Sequence, residues 1–471
     1  MFASAHRDSS DYLKIFKAVD GQKGYNELQL KEMLSGDGGV AHFAVKKNQL
    51  YSLLLRALRN YHEGRTFDTT LKEMMLNASI LSDKALYQDC YSILNRAREI
   101  AHHYEEWKTQ LEILHRRYTI LYQLSNQKEA DEEVAHMTNE EDLILEKMNN
   151  YGLLGKLTIQ LSLLLKKPRA ECNDAIKKLM RNNILQSEKN ALSFRGKSLY
   201  YVIQTNYLIH SGKFRKATLL LKKHITLYEK FPQFIEASPG NYLSAFKELL
   251  ELNFRLKRFD EAKRLIEQLR RLPDNSHVKK IGTRRFRQFI FSWTFRIEIS
   301  MAIQEENLAS LKSHIHEQEE YFTRIEKAIE PENRLETRLA LAAFYFFTSD
   351  PKQSIHHLQK IFSDKEGSRF YNIQLQAMMM HWFIHFEEGN RDLIEYLFSP
   401  IIRLTQKQKK LAVTQRLMLE FMKQIMNEPS VKQRRPIFSH YEKKFRQLKK
   451  SSAESHLYNF LDITLWLKKA K

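Results

Sequence analysis

The sequence predicts an all-α protein, an α-solenoid of helix–turn–helix repeats behind an N-terminal helical cap, and three observations lead there. Apolar side chains recur at i, i+3, i+4 and i+7 along nearly the whole chain, which is the spacing of one helix face. Leu243, Phe246, Leu249, Leu250 and Phe254 show it, as do Leu335, Leu339, Ala342, Ala343 and Phe346. Glycine and proline, 14 and 9 in 471 residues, are too scarce for turn-rich β folds or glycine-dependent nucleotide loops. The periodic segments, 14–20 residues each, are broken at near-regular intervals. With 43% apolar and 28% charged residues the chain can bury a core. Yet it exceeds the roughly 250–300 residues that one core serves. A repeat array meets both conditions.

The first 62 residues read as a unit of their own, with the solenoid over 63–471. Asp11–Val19, Tyr25–Leu34 and Ala44–Tyr61 are expected as helices separated by glycine-rich joints, one of them Gly36-Asp37-Gly38-Gly39. The third helix carries Leu50, Leu53, Leu54, Ala57, Leu58 and Tyr61 on one face. A three-helix unit of this length shields the first core layer of a solenoid. A DNA-reading helix-turn-helix is the weaker alternative, because the second helix carries little positive charge for a groove-binding element.

Beyond it, breaks fall near His103, Lys167, Lys213, Arg258, Glu306, Asp350, Gly389 and Glu428. After a longer first interval they follow a period of about 40–48 residues, in the range of two-helix repeats. The surplus in that first interval is the polar stretch Gln127–Asp142, expected as a helix extension or an insertion. Pro232 and Pro273 stop the second helices of their pairs. A last helix over Leu457–Leu467, with Leu461, Leu465 and Trp466, is expected to close the far end.

Two corners are specific: Gly212-Lys213-Phe214-Arg215-Lys216-Ala217 and Lys257-Arg258-Phe259-Asp260-Glu261-Ala262. Gly212 suits the left-handed residue that ends a helix, Phe214 and Phe259 cover the corner, and Ala217 and Ala262 let paired helices approach. These corners resemble the tetratricopeptide turn, and at the level of rhythm the resemblance runs over roughly residues 80–450. It implies a right-handed solenoid presenting a concave groove to peptides or partner domains. The chain departs from that family in its longer period and in the missing glycine of the second corner.

The charge is uneven. The net +20 is concentrated in residues 166–230, with 15 basic and 4 acidic side chains, and residues 401–471, with 17 and 5. Such segments attract acidic protein surfaces or phosphates. Basic and aromatic residues interleave at Arg284-Arg285-Phe286-Arg287-Gln288-Phe289 and from Arg434-Arg435 to Phe445-Arg446, a pattern that grips single-stranded nucleic acid unless the rings face the core. Candidate partner contacts are therefore Lys222, Lys223, Arg284, Arg285, Arg434 and Arg435.

Signatures of chemistry are missing from the sequence. No phosphate-loop, dinucleotide or GxSxG spacing occurs, so neither a cofactor nor a catalytic residue is assigned. His381 and His385 share a helix face, but no glutamate stands between them as a general base, and they are expected to be core or inner-groove residues. Cys90 and Cys172 form no CxxC pair, which suits a reducing cytoplasm. The apolar run Ile159–Leu165, closed by Lys166-Lys167-Pro168, is too short to span a bilayer. The expectation is a non-catalytic cytoplasmic scaffold for a protein or peptide partner with an acidic surface. A nucleic-acid-associated protein, with segments 166–230 and 401–471 as its phosphate track, is the alternative.

Overall fold

A computed structural model describes residues 8–22, 24–34, 42–62, 66–124, 127–167, 169–274, 284–406, 411–428, 430–449 and 461–469. Among them are 23 α-helices and a few short 3₁₀ turns, and no strand. The chain divides into two compact units, Met1–Leu145 and Glu146–Lys471.

The first unit begins with α1 (Asp8–Asp20), α2 (Glu27–Leu34) and α3 (Phe43–His62), close to the three helices the sequence predicts. α1 packs on α2 and α3, burying Ile15 and Leu30, while Lys46 pairs with Asp11 and Lys47 with Glu27. Leu53, Leu54, Leu58 and Tyr61 of α3 remain exposed. The Gly36–Gly39 joint lies outside the described residues. Next come α4 (Phe67–Asp83), α5 (Tyr87–His103) and α6 (Trp107–Leu124), successive neighbours around Leu71, Ala78, Cys90, Leu94, Ala97 and Ile113. They are followed by α7 (Gln127–Leu165), 39 residues long, so the polar stretch 127–142 is a helix extension. Arg98 holds Glu140 of α7 at 2.6–3.0 Å, and the buried Arg117 holds Glu133 at 2.5 Å.

The second unit takes the rest of α7, α8 (Arg169–Met180), and then helices in pairs: α9 (Phe194–His210) with α10 (Phe214–Lys230), and α12 (Pro239–Arg255) with α13 (Phe259–Arg271). The one-turn helix α11 (Gln233–Ala237) sits between these pairs. α14 (Arg284–Gln304) is followed by α15 (Ala309–Lys312) and α16 (Ile315–Ile325). The pairs α17 (Pro331–Phe347) with α18 (Pro351–Phe362), α19 (Tyr371–Glu387) with α20 (Arg391–Gln406), and α21 (Val413–Asn427) with α22 (Val431–Lys449) complete the series, before α23 (Ile463–Lys469). The two helices of each pair pack on one another, and first helices of consecutive sets also touch: α12 with α14, α14 with α17, α17 with α19. This packing fits an α-solenoid. The middle first helices are buried almost all round; Leu339, Ala340, Leu341, Ala342 and Ala343 of α17 are all inaccessible. A polar ladder crosses them: buried Arg296 of α14 reaches Glu251 of α12 and Glu336 of α17.

The corners are uniform. At Ala85, Glu105, Gly212, Lys257, Glu306, Ser349 and Gly389 φ lies between 53° and 75°. At each, the next N–H donates to the carbonyl five residues back, at 2.8–3.1 Å, and the left-handed residue's own N–H donates three residues back. That double bond is the Schellman motif. It closes the turn within a pair, and the next helix starts at once. Gly212 and Gly389 adopt this conformation without steric cost; the other five positions hold side chains there. Ala217 and Ala262, three residues after the corner aromatics, are completely buried. Their counterparts Cys90 and Ser354 are buried too, and each donates to an alanine carbonyl twelve residues earlier, Sγ to Ala78 at 3.1 Å and Oγ to Ala342 at 2.7 Å.

Candidate functional site

The second half of α7 buries Leu154, Leu157 and Leu161 against Cys172 and Ile176 of α8 and against Ile184, Leu185 and Ile203. Its apolar residues outnumber the positions on that one face, so Ile159 and Leu163, four apart on another stripe, are left 63% and 57% exposed. Between α7 and α8 opens a groove of about 670 Å³. Leu157, Leu164 and Leu179 form its floor and Leu163 its edge, while Lys167, Lys178, Arg181, Gln160 and Asn182 supply polar groups. Lys167, Lys178 and Arg181 are exposed and make no ion pair with any described residue. An apolar trough flanked by unneutralised cations is complementary in polarity and charge to an amphipathic surface whose polar edge is acidic.

The predicted contact residues are dispersed. Lys222 and Lys223 project from α10 into solvent without an ion-pair partner among the described residues. Arg284 is exposed at the start of α14, and the side chain of Arg285 falls outside the described ones. Arg287 pairs with Asp274 at 2.9 Å. Arg435 is exposed, but Arg434 is engaged: its Nε donates to the Glu428 carbonyl at 2.6 Å and its guanidinium lies 4.8 Å from the Phe386 ring centre. Burial, with Arg391 nearby, draws its pKa below the usual value. The interleaved rings face inward: Phe286 and Phe445 are buried and Phe289 packs against the core. They do not form a stacking platform for bases.

Polar groups inside the unit are held by one another. His224 is buried, hydrogen-bonded through Nε2 to Ser198 Oγ at 2.9 Å and stacked on Tyr201; burial pushes its pKa down to about 4. This serine–histidine contact lies between α9 and α10, away from the groove. His357 of α18 is inaccessible between Arg338 of α17 and Glu319 of α16. Burial lowers its pKa in spite of Glu319. Burial opposes ionisation of Glu319 as well, but His357 and Tyr345 outweigh that and hold its pKa below the ordinary carboxylate value. His385 is buried and His381 partly so, their Nε2 atoms 3.2 Å apart, with Asn390 and Glu388 on the Nδ1 side of His385. Among the described residues no group of three or more histidine, cysteine or acidic side chains is placed to hold a metal ion, and no helix is long and apolar enough to cross a membrane.

The Leu157–Leu179 floor escaped the sequence reading. The run Ile159–Leu165 and its closing lysines were visible, and so was the basic segment 166–230; what the sequence does not show is that α8 leaves part of that run uncovered. No protein-family model matches the chain, and no curated protein matches it significantly.

Proposed function

We propose that this protein is a non-catalytic helical-repeat scaffold, wound right-handed in the tetratricopeptide manner, that binds an acidic, amphipathic segment of a partner protein in the α7–α8 groove. The observation that carries the reading is the groove itself, an exposed leucine edge beside three cations that no described acid neutralises. A helix laying leucines at i, i+3 and i+4 into the trough would bring glutamates to Lys167, Lys178 and Arg181. Opposite charge would govern encounter and register, and apolar burial the lifetime of the complex.

The test uses the full chain, a fluorescent model peptide with leucines on one helical face and glutamates beside them, and a single-stranded oligonucleotide of equal charge. The peptide should bind, Leu163→Asp should abolish binding, and the double change Lys178→Glu, Arg181→Glu should weaken it about tenfold or more. Higher salt should weaken the peptide only modestly and any oligonucleotide binding steeply. Tight oligonucleotide binding with no peptide binding would replace this reading with the nucleic-acid one.

A further inference from the structure

Helix α23 breaks the pattern of the array. It has seven residues and packs on α22, but its side chains reach α19, α21 and the corner after α14 as well. Trp466 is buried among Phe383 and Phe386 of α19, Phe421 of α21 and Phe438 of α22, with ring centres 4.8, 6.1, 6.1 and 5.7 Å away. Its indole N–H donates to Glu387 Oε1 at 2.7 Å. Ile463 and Leu467 are inaccessible, and Lys468 reaches Glu306, at the corner after α14, at 2.8 Å. The helix also carries its own cap: Asp462 Oδ1 accepts from the backbone N–H of Thr464 at 3.1 Å and from its hydroxyl at 2.6 Å. Beside Leu461 the fit is incomplete. A residual cavity of about 20 Å³ remains there, bordered by Leu375, Gln376 and Met418, and Gln376 Oε1 is buried without a hydrogen-bond donor.

These are the features of a bound peptide helix: one aromatic anchor in a closed aromatic cage, one directional hydrogen bond to it, two flanking apolar contacts and a salt bridge at the rim. We infer that α23 is an intramolecular ligand, and that the cage of Phe383, Phe386, Phe421 and Phe438 with Glu387 is a recognition site for a short helix of apolar-x-x-Trp-apolar-basic pattern. A partner protein carrying that pattern takes the site by displacing α23. The charge preference is opposite to that of the α7–α8 groove, because Glu387 and Glu306 select an indole N–H and a cation.

Two measurements on the full chain test this. In the first, a fluorescent peptide of residues 461–471 is titrated with wild-type protein and with Trp466→Ala. The variant, whose own helix no longer holds the cage, should bind the peptide about tenfold or more tightly than the wild type, where α23 competes in cis. The same peptide with Trp466→Ala should not bind either. In the second, amide hydrogen exchange on the wild type should show Leu465–Leu467 exchanging well before the interior of α19. A helical Trp466→Ala protein that ignores the peptide overturns the inference. So does exchange of α23 and α19 as one cooperative unit in the wild type, which decides the matter even if the variant does not fold.

Discussion

Ala217 and Ala262 leave no room for a bulky side chain where paired helices meet: both are inaccessible, and the same place in other pairs holds the small side chains of Cys90 and Ser354. Ala217→Trp and Ala262→Trp should therefore each lower the melting temperature, at a cost of about 1–3 kcal/mol or more from overpacking. Unchanged melts for both would mean the helices do not touch there. His224 makes a pH prediction. Its folded pKa is depressed to about 4, so between that value and the ordinary 6.5 the unfolded chain binds the extra proton. Its contribution is complete above pH 6.5 and is lost as pH falls towards 4, at up to about 1.4 kcal/mol per pH unit. His381, also lowered to about 4 by burial and by His385, adds in the same direction. Denaturant titrations from pH 7 to 4 should show a shallower fall for His224→Gln than for the wild type. Parallel curves would mean that His224 is not held neutral in the fold.

At the scale of the elements, the corners decide the array. Five of the seven Schellman turns put a residue with a side chain at left-handed φ, which costs roughly 1–2 kcal/mol relative to glycine before the unfolded chain is considered. Ser349→Gly and Ala85→Gly should each stabilise the protein by about 0.5–1 kcal/mol, once the greater freedom of an unfolded glycine is subtracted. A loss of stability at both sites would show that the left-handed conformation carries no strain there. The same corners explain what was legible. Helix positions could be read because each core face writes a 3.6-residue stripe, and all eight expected breaks lie at or within a few residues of helix ends. Gly212 and Gly389 announced their turns. At Lys257, Glu306 and Ser349 no glycine marks the left-handed residue, and these turns show in the sequence only as breaks in the apolar stripe, with Phe259 and Ala262 following Lys257, because the motif is built from backbone hydrogen bonds and names no side chain. The return of α23 to Glu306, 162 residues upstream, leaves no periodic trace, and neither does the exposed leucine edge of the groove.

For the whole molecule, the two units have separate cores: that of Leu71–Ile120 in the first, and those around Leu154, Leu249 and Trp382 in the second. Calorimetry should resolve more than one unfolding transition, because among the described residues each buried cluster belongs to one unit. One transition with equal calorimetric and van't Hoff enthalpies would show that α7, which crosses the boundary at Leu145, couples them into one. The excess charge acts at this scale too. Lys222→Glu with Lys223→Glu should slow association of an acidic peptide more at low salt than at high salt without altering the helical spectrum. An unaltered rate would confine the electrostatic effect to the rim of the groove. The uniformity of the corners has one more consequence. A backbone junction that recurs with the same bonds whatever side chains it carries is a splice point. Joining Gly212 directly to Arg258, so that residues 213–257 are excised, recreates the hydrogen-bonded ring that Lys257 now closes. Arrays of this construction can thus gain or lose whole helix pairs in a single genetic step.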